Sequence, residues 1–146
     1  RDLDIAVSNH RQYIIGVYLI GTAVGSLFYG PIADRYGRKP PLIAGLVIFV
    51  IGAALAALAP DAGWLTAARF VQGLGAAAVM VVPRAIIRDQ MTGTDAARLM
   101  AAIMMVISVS PMLAPLAGAG LLAIGDWRLI FWALALAGLA SLAVTI

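Results

Sequence analysis

The chain has 146 residues, 63% hydrophobic and 12% charged, with a mean hydropathy of +1.00. A soluble domain carries about a quarter charged residues, so this composition excludes an ordinary water-soluble fold and points to an integral membrane protein. The net charge of +3 comes from basic residues placed in turns rather than along an aromatic-studded stripe, which excludes a nucleic-acid surface, and the lack of cysteine excludes disulfides and thiol chemistry.

Charges and turn residues cut the chain into five predicted spans, roughly 12–33, 41–59, 64–87, 98–124 and 128–146. Each is long enough to cross a hydrocarbon core of about 30 Å as a helix. Period-2 alternation is absent, and the runs are about twice as long as a barrel strand, so a helical bundle is expected. The first span carries Gly21 and Gly25, a GxxxG pair that lets helix backbones approach closely. It ends in the basic turn Asp34, Arg35, Gly37, Arg38, Lys39, and Gly30 shares a helix face with Asp34. Gly30 is expected to permit close packing, and Asp34 to reach the free amides of another helix's N-terminus.

The second span leads through "APDAG" to the third, where Arg69 sits five residues past Trp64, or about 7.5 Å deep. A charge at that depth either faces a polar interior or snorkels to the interface. Gln72 and Gly73 follow on the same face, Gly73 and Ala77 repeat the small-residue spacing, and Pro83 is expected to kink the inner end. The connection "RDQMTGTDAAR" then leads to the fourth span. There Pro111 and Pro115, followed by Gly118, remove backbone bonds and should bend the helix. Tyr18, Tyr29, Met104 and Met105 are candidates for lining a substrate cavity. Short links make sequential helices the expected antiparallel neighbours.

Lysine and arginine collect in the first and third connections, so 34–40 and 88–98 are expected on the cytoplasmic side and the N-terminal stretch outside. Arg38 and Asp89 then share one membrane level, and a pairing between them is expected. Arg1 is the first residue and the chain ends within an apolar run, as expected for a piece of a larger protein.

"GPIADRYGRKPPL" closely resembles the G-x-L-A-D-R-x-G-R-K-x-x-L signature between the second and third helices of the major facilitator superfamily. Gly30, Ala33, Asp34, Arg35, Gly37, Arg38, Lys39 and Leu42 match it, and Ile32 replaces leucine. "LTAARFVQGLG" resembles the family's fourth-helix motif through Arg69, Gln72 and Gly73. The resemblance implies an all-α polytopic bundle: helices two to six of a twelve-helix carrier, part of its N-terminal six-helix bundle. The implied partners are the missing first helix, the C-terminal bundle, the lipid bilayer, protons and a small hydrophobic or amphipathic substrate. It further implies that the basic turn is a cytoplasmic gate, with Asp89 its partner in a latch. Arg69, with Gln72 and Gly73, is implied to take part in proton coupling.

Within the superfamily, "GPIADRYGRKP", "PRAIIRDQ" and "SPMLAPLAG" are most similar to the bicyclomycin and chloramphenicol resistance transporters, drug:proton antiporters of the bacterial inner membrane. The antiporter pattern G-P-x-x-G-G is matched only in part, because Ala114 and Ala119 replace two glycines around Pro115 and Gly118. The resemblance implies export of drug-like molecules. A sugar or metabolite carrier of the same family is the alternative within the fold, and a non-transporting scaffold or truncated remnant the alternative outside it. An enzyme is not expected: the chain has no glutamate and one histidine, His10, and its aspartates are scattered among separate helix ends. Neither a metal nor a cofactor site is expected.

Overall fold

A computed structural model describes residues 8–146; residues 1–7 of the expected external stretch lie outside them. Five helices follow in order: α1 (Ser8–Tyr36), α2 (Lys39–Ala57), α3 (Ala62–Gln90), α4 (Gly93–Ile124) and α5 (Arg128–Thr145). All five contain segments long and apolar enough to cross a membrane.

Local chemistry explains the breaks. Gly37 adopts φ +92°, which permits the tight reversal after α1. Pro40 and Pro41 then occupy the first turn of α2, where proline's missing N–H costs no helical bond. Asp61 caps α3, its extended backbone placing the carboxylate 2.7 Å from the Trp64 amide that it accepts from. Asp95 lies in the first turn of α4, favourably placed in the field of the helix N-terminus. Asp126 accepts from the Trp127 amide at 2.7 Å just before α5.

The packing does not follow chain order. α3 is the centre: α1 and α2 both lie along it, and α5 lies along α2. α1 and α2 touch little despite their short link, and α4 makes only slight contact with α3 and α5. The expectation of sequential neighbours therefore holds for α2 and α3 and is corrected for α1 and α2, α3 and α4, and α4 and α5. A short link fixes only where two helix ends meet, whereas small residues decide which faces come together along their length.

The seams are built from alanine and glycine. One core cluster joins Ile14, Ala56, Ala59, Leu65 and Ala68, flanked by Leu55, Trp127 and Phe131; another joins Tyr29, Ala77 and Ala78. On the α1/α3 seam, a methyl at Gly21 would lie 2.5 Å from the Phe70 carbonyl oxygen, and one at Gly25 would lie 2.8 Å from Ala77 Cβ. In lipid, where burial of apolar surface gives little drive, this close approach supplies the dispersion contact that holds helices together. Gly30 is different: nothing lies within 4 Å of where its Cβ would be among the described residues. It forms no tight seam here, contrary to the sequence expectation.

Candidate functional site

Two charged arrangements stand out, one at the end of the bundle and one inside it. At the end, the Gly37 turn places Arg38 at the start of α2, between the last turns of α1 and α3. Arg38 Nη2 lies 2.9 Å from Asp34 Oδ1 on α1, and Arg38 Nε donates to Asp89 Oδ2 on α3 at 2.9 Å. Nη2 also donates to that Asp89 oxygen.

A carboxylate in the last turn of a helix is disfavoured by the exposed carbonyls there. Arg38 supplies the cation that offsets this for Asp89. The hydrogen bond to Asp89, then the charges of both aspartates, push the Arg38 pKa above its ordinary value. One guanidinium thus ties together three helices. Its side chain is 18% exposed, against 63% for Asp34 and 45% for Asp89. Asp34 was expected to meet the free amides of another helix; among the described residues its partner is Arg38 instead. Arg88 approaches Asp89 from the solvent side, Nε to Oδ1 3.8 Å. Arg35 lies over the Tyr36 ring, 5.6 Å from its centroid, and Lys39 is exposed to solvent.

Inside the bundle, Arg69 projects from α3 toward α1 and α5. Its guanidinium carbon lies 4.3 Å from the centroid of Tyr18 and 5.6 Å from that of Phe131. Nη1 donates to Gln72 Oε1 at 2.6 Å, and Gln72 is only 1% exposed. Gly73 is needed for this arrangement, because a Cβ there would collide with the Tyr18 carbonyl. No carboxylate lies within 4.0 Å of Arg69 among the described residues. The cation is held by ring faces and one amide oxygen. Such an environment keeps a guanidinium fixed while leaving it available to an anion.

The other candidates are not drawn into either group. α4 runs as helix through Pro111 and Pro115, and both prolines are exposed. Nothing lies within 4 Å of a Cβ at Gly118. Ser108 and Ser110 bond back to the carbonyls of Met104 and Val106 at 2.8 and 2.6 Å, a local arrangement common where helices bend. Met104 and Met105 are exposed. Tyr29, a candidate for a cavity wall, is instead buried against Ala77 and Ala78. Phe131 carries no motif of its own and Arg84 is only one letter of the "PRAIIRDQ" stretch, so the positions of both become apparent only once the helices are assembled.

Apolar spans packed through glycine and alanine, with a charged clasp at one end and a desolvated arginine within, define a multi-pass membrane protein of the helical-bundle class. The family profile described as Major Facilitator Superfamily matches residues 5–146, and the chain belongs to that superfamily.

It is 37% identical over 129 residues to "Uncharacterized MFS-type transporter YdgK" of Bacillus subtilis (strain 168), covering 87% of this chain and 32% of that protein. It is 36% identical over 144 residues to "Multidrug resistance protein MdtL" of Escherichia coli O9:H4 (strain HS), covering 98% of this chain and 37% of that protein. The MdtL of Shigella boydii serotype 18 gives the same figures. The chain therefore spans about a third of the length of the curated relatives it matches.

Proposed function

We propose that this chain forms helices two to six of a secondary carrier that exports small amphipathic molecules by alternating access in exchange for protons. The observation that carries the reading is Arg38 bridging Asp34 and Asp89, a clasp across three helix ends that can be made and broken as a unit. Closed, it holds the N-terminal bundle's cytoplasmic ends in one arrangement. Its exposed members, Asp34 and the neighbouring basic residues, are placed to meet the second bundle supplied by the rest of the protein.

Arg69 is the coupling group. Gln72, Tyr18 and Gly73 hold its guanidinium in place, and a carboxylate contributed by the first helix would complete its charge pairing. Protonating that carboxylate would release the arginine, and substrate would then compete for the same field. The printed names of the relatives, transporter and multidrug resistance protein, support export of drug-like cargo. The basic residues gathered in the first and third connections support a cytoplasmic position for the clasp.

The full-length gene expressed in an efflux-deficient bacterium should raise resistance to members of a drug panel, and a proton uncoupler should abolish that efflux. Drug accumulation unaffected by expression would overturn export. Efflux that persists with the uncoupler would overturn proton exchange alone.

A further inference from the structure

A polar cleft outside the coupling site has a volume of about 520 Å³ and lies where α1, α3 and the start of α4 diverge. Arg38, Arg84 and Arg88 contribute three guanidinium groups to its lining, against the single carboxylate of Asp34. Two of the three arginines are already engaged. Arg38 is bonded to Asp34 and Asp89, and Arg88 Nε lies 3.8 Å from Asp89. Arg84 has no carboxylate within 4.0 Å among the described residues, and its Nε is buried without a hydrogen-bond partner. A buried donor without a partner is costly and rare in folded proteins. It is the feature of the cleft that asks for an anion.

A second cleft of about 510 Å³ between α3 and α4 adjoins it, and the two share Met80 and Arg84 as lining residues. This second cleft is walled by Pro83, Ala102, Ile103, Val106 and Ile107, with Arg84 as the only charged side chain among its described lining residues. Arg84 therefore borders both a cationic cleft and an apolar one. Each part has the capacity usual for a drug-sized ligand.

We propose that Arg84 anchors the anionic group of a drug-sized amphipathic substrate whose apolar body lies between α3 and α4. This deepens the export reading and rests on it, by naming the charge of the cargo. The selectivity follows from electrostatics. The one carboxylate in the lining is already paired with Arg38, so a cationic amphiphile would meet excess positive charge and find no free acceptor. An anion gains charge-assisted bonds from Arg84, with Arg88 within reach of the same cleft. Met80, which lines both clefts, and Met100 in the polar one supply a deformable wall suited to varied ring shapes.

The test uses the full-length carrier in phosphatidylcholine nanodiscs. Equilibrium binding is measured for 2-naphthalenesulfonate and for the size-matched cation 2-naphthyltrimethylammonium. The sulfonate should bind roughly tenfold tighter than the cation or better, as expected for one charge-assisted pair. Arg84→Gln should erase that preference, and Arg84→Lys should restore most of it. Ile107→Trp, which fills the apolar part, should weaken both probes. Retained cation binding by Arg84→Gln serves as its check of folding. If that variant does not fold, Arg84→Lys and Ile107→Trp carry the decision.

Equal wild-type affinity for the two probes would overturn the proposal, as would a sulfonate preference that survives in Arg84→Gln. Doping the nanodiscs with phosphatidylglycerol addresses the other source of an anionic amphiphile. Loss of sulfonate binding in proportion to that lipid would assign the cleft to the bilayer and overturn a cargo site. Efflux is scored separately. Sulfonate binding without any export sinks the export reading, whereas export indifferent to cargo charge sinks only the role of Arg84.

Discussion

Gly52→Ala adds one methyl group to the seam between α2 and α3, and its consequence can be worked from the geometry. A Cβ at Gly52 would lie 2.5 Å from the Gln72 amide nitrogen, 2.7 Å from Gln72 Cα and 2.9 Å from Gln72 Cβ. Carbon atoms in contact prefer separations of about 3.5–4.0 Å. The obstructing atoms belong to the backbone of α3 or are attached directly to it, so no side-chain rotation relieves the clash. α2 must retreat by about 1 Å, which also loosens the Gly45–Ala78 and Gly75–Phe49 approaches along the same seam.

Overpacking of this kind costs about 1–3 kcal/mol, and alanine's better helix propensity returns at most about 1 kcal/mol. The net expectation is a loss of about 1–2 kcal/mol, the upper part of the range applying because a whole seam moves. The same displacement shifts Gln72, whose side chain accepts the 2.6 Å bond from Arg69, so proton-coupled efflux should fall with stability. Gly63→Ala is the control, since a Cβ there meets only the exposed Asp61 carboxylate at 3.3 Å. Thermal unfolding of the full-length carrier in detergent provides the assay, with uncoupler-sensitive efflux measured in parallel. A Gly52→Ala protein that unfolds at or above the temperature of Gly63→Ala would refute the reasoning.

Asp34→Asn in the full-length protein should sharply reduce transport while leaving expression near normal; wild-type rates would remove the clasp from the gating mechanism. Arg38→Gln should lower transport by the same factor at acid and at mildly alkaline pH. The reason is that the folded pKa of Arg38 is raised, so its contribution is fully present below the ordinary arginine value and is lost only far above the growth range. A strong pH dependence of that factor, read from paired rate profiles, would contradict this assignment. Arg69→Ala should abolish uncoupler-sensitive efflux, and its survival would return Arg69 to an interfacial anchor. Tyr18→Leu should impair coupling by removing a ring face worth about 0.5–2 kcal/mol to the cation, whereas Tyr18→Phe should retain it; equal loss in both would point to the hydroxyl instead.

How much of this was legible before any coordinates depends on which kind of physics each feature uses. The five helices were readable because length and apolarity alone satisfy the bilayer. The basic turn was readable because its residues are contiguous, and the Gly37 backbone conformation is local to it. The Arg38–Asp89 bond was anticipated from a shared membrane level, yet Asp34's place in the same clasp was not. The i,i+4 spacing of Asp34 and Arg38 was available, but the turn between them hid their proximity.

Most of the packing order is hidden for a similar reason, and only the α2/α3 pairing follows chain order. Link lengths are visible in the sequence, whereas the fit of Gly21 to Phe70 and of Gly52 to Gln72 depends on which helix faces meet. That same fit explains why Arg69 is the harder half of the site. Its motif names Arg69, Gln72 and Gly73, all on α3, but its environment comes from Tyr18 on α1 and Phe131 on α5. Gly73 connects the two levels. By letting α1 approach until the Tyr18 carbonyl leaves no room for a methyl, it brings the Tyr18 ring to Arg69. A glycine in this motif therefore acts on the charge indirectly, through the position of a neighbouring helix. Substitutions along the α1/α3 seam should alter coupling even where they touch no ionisable group.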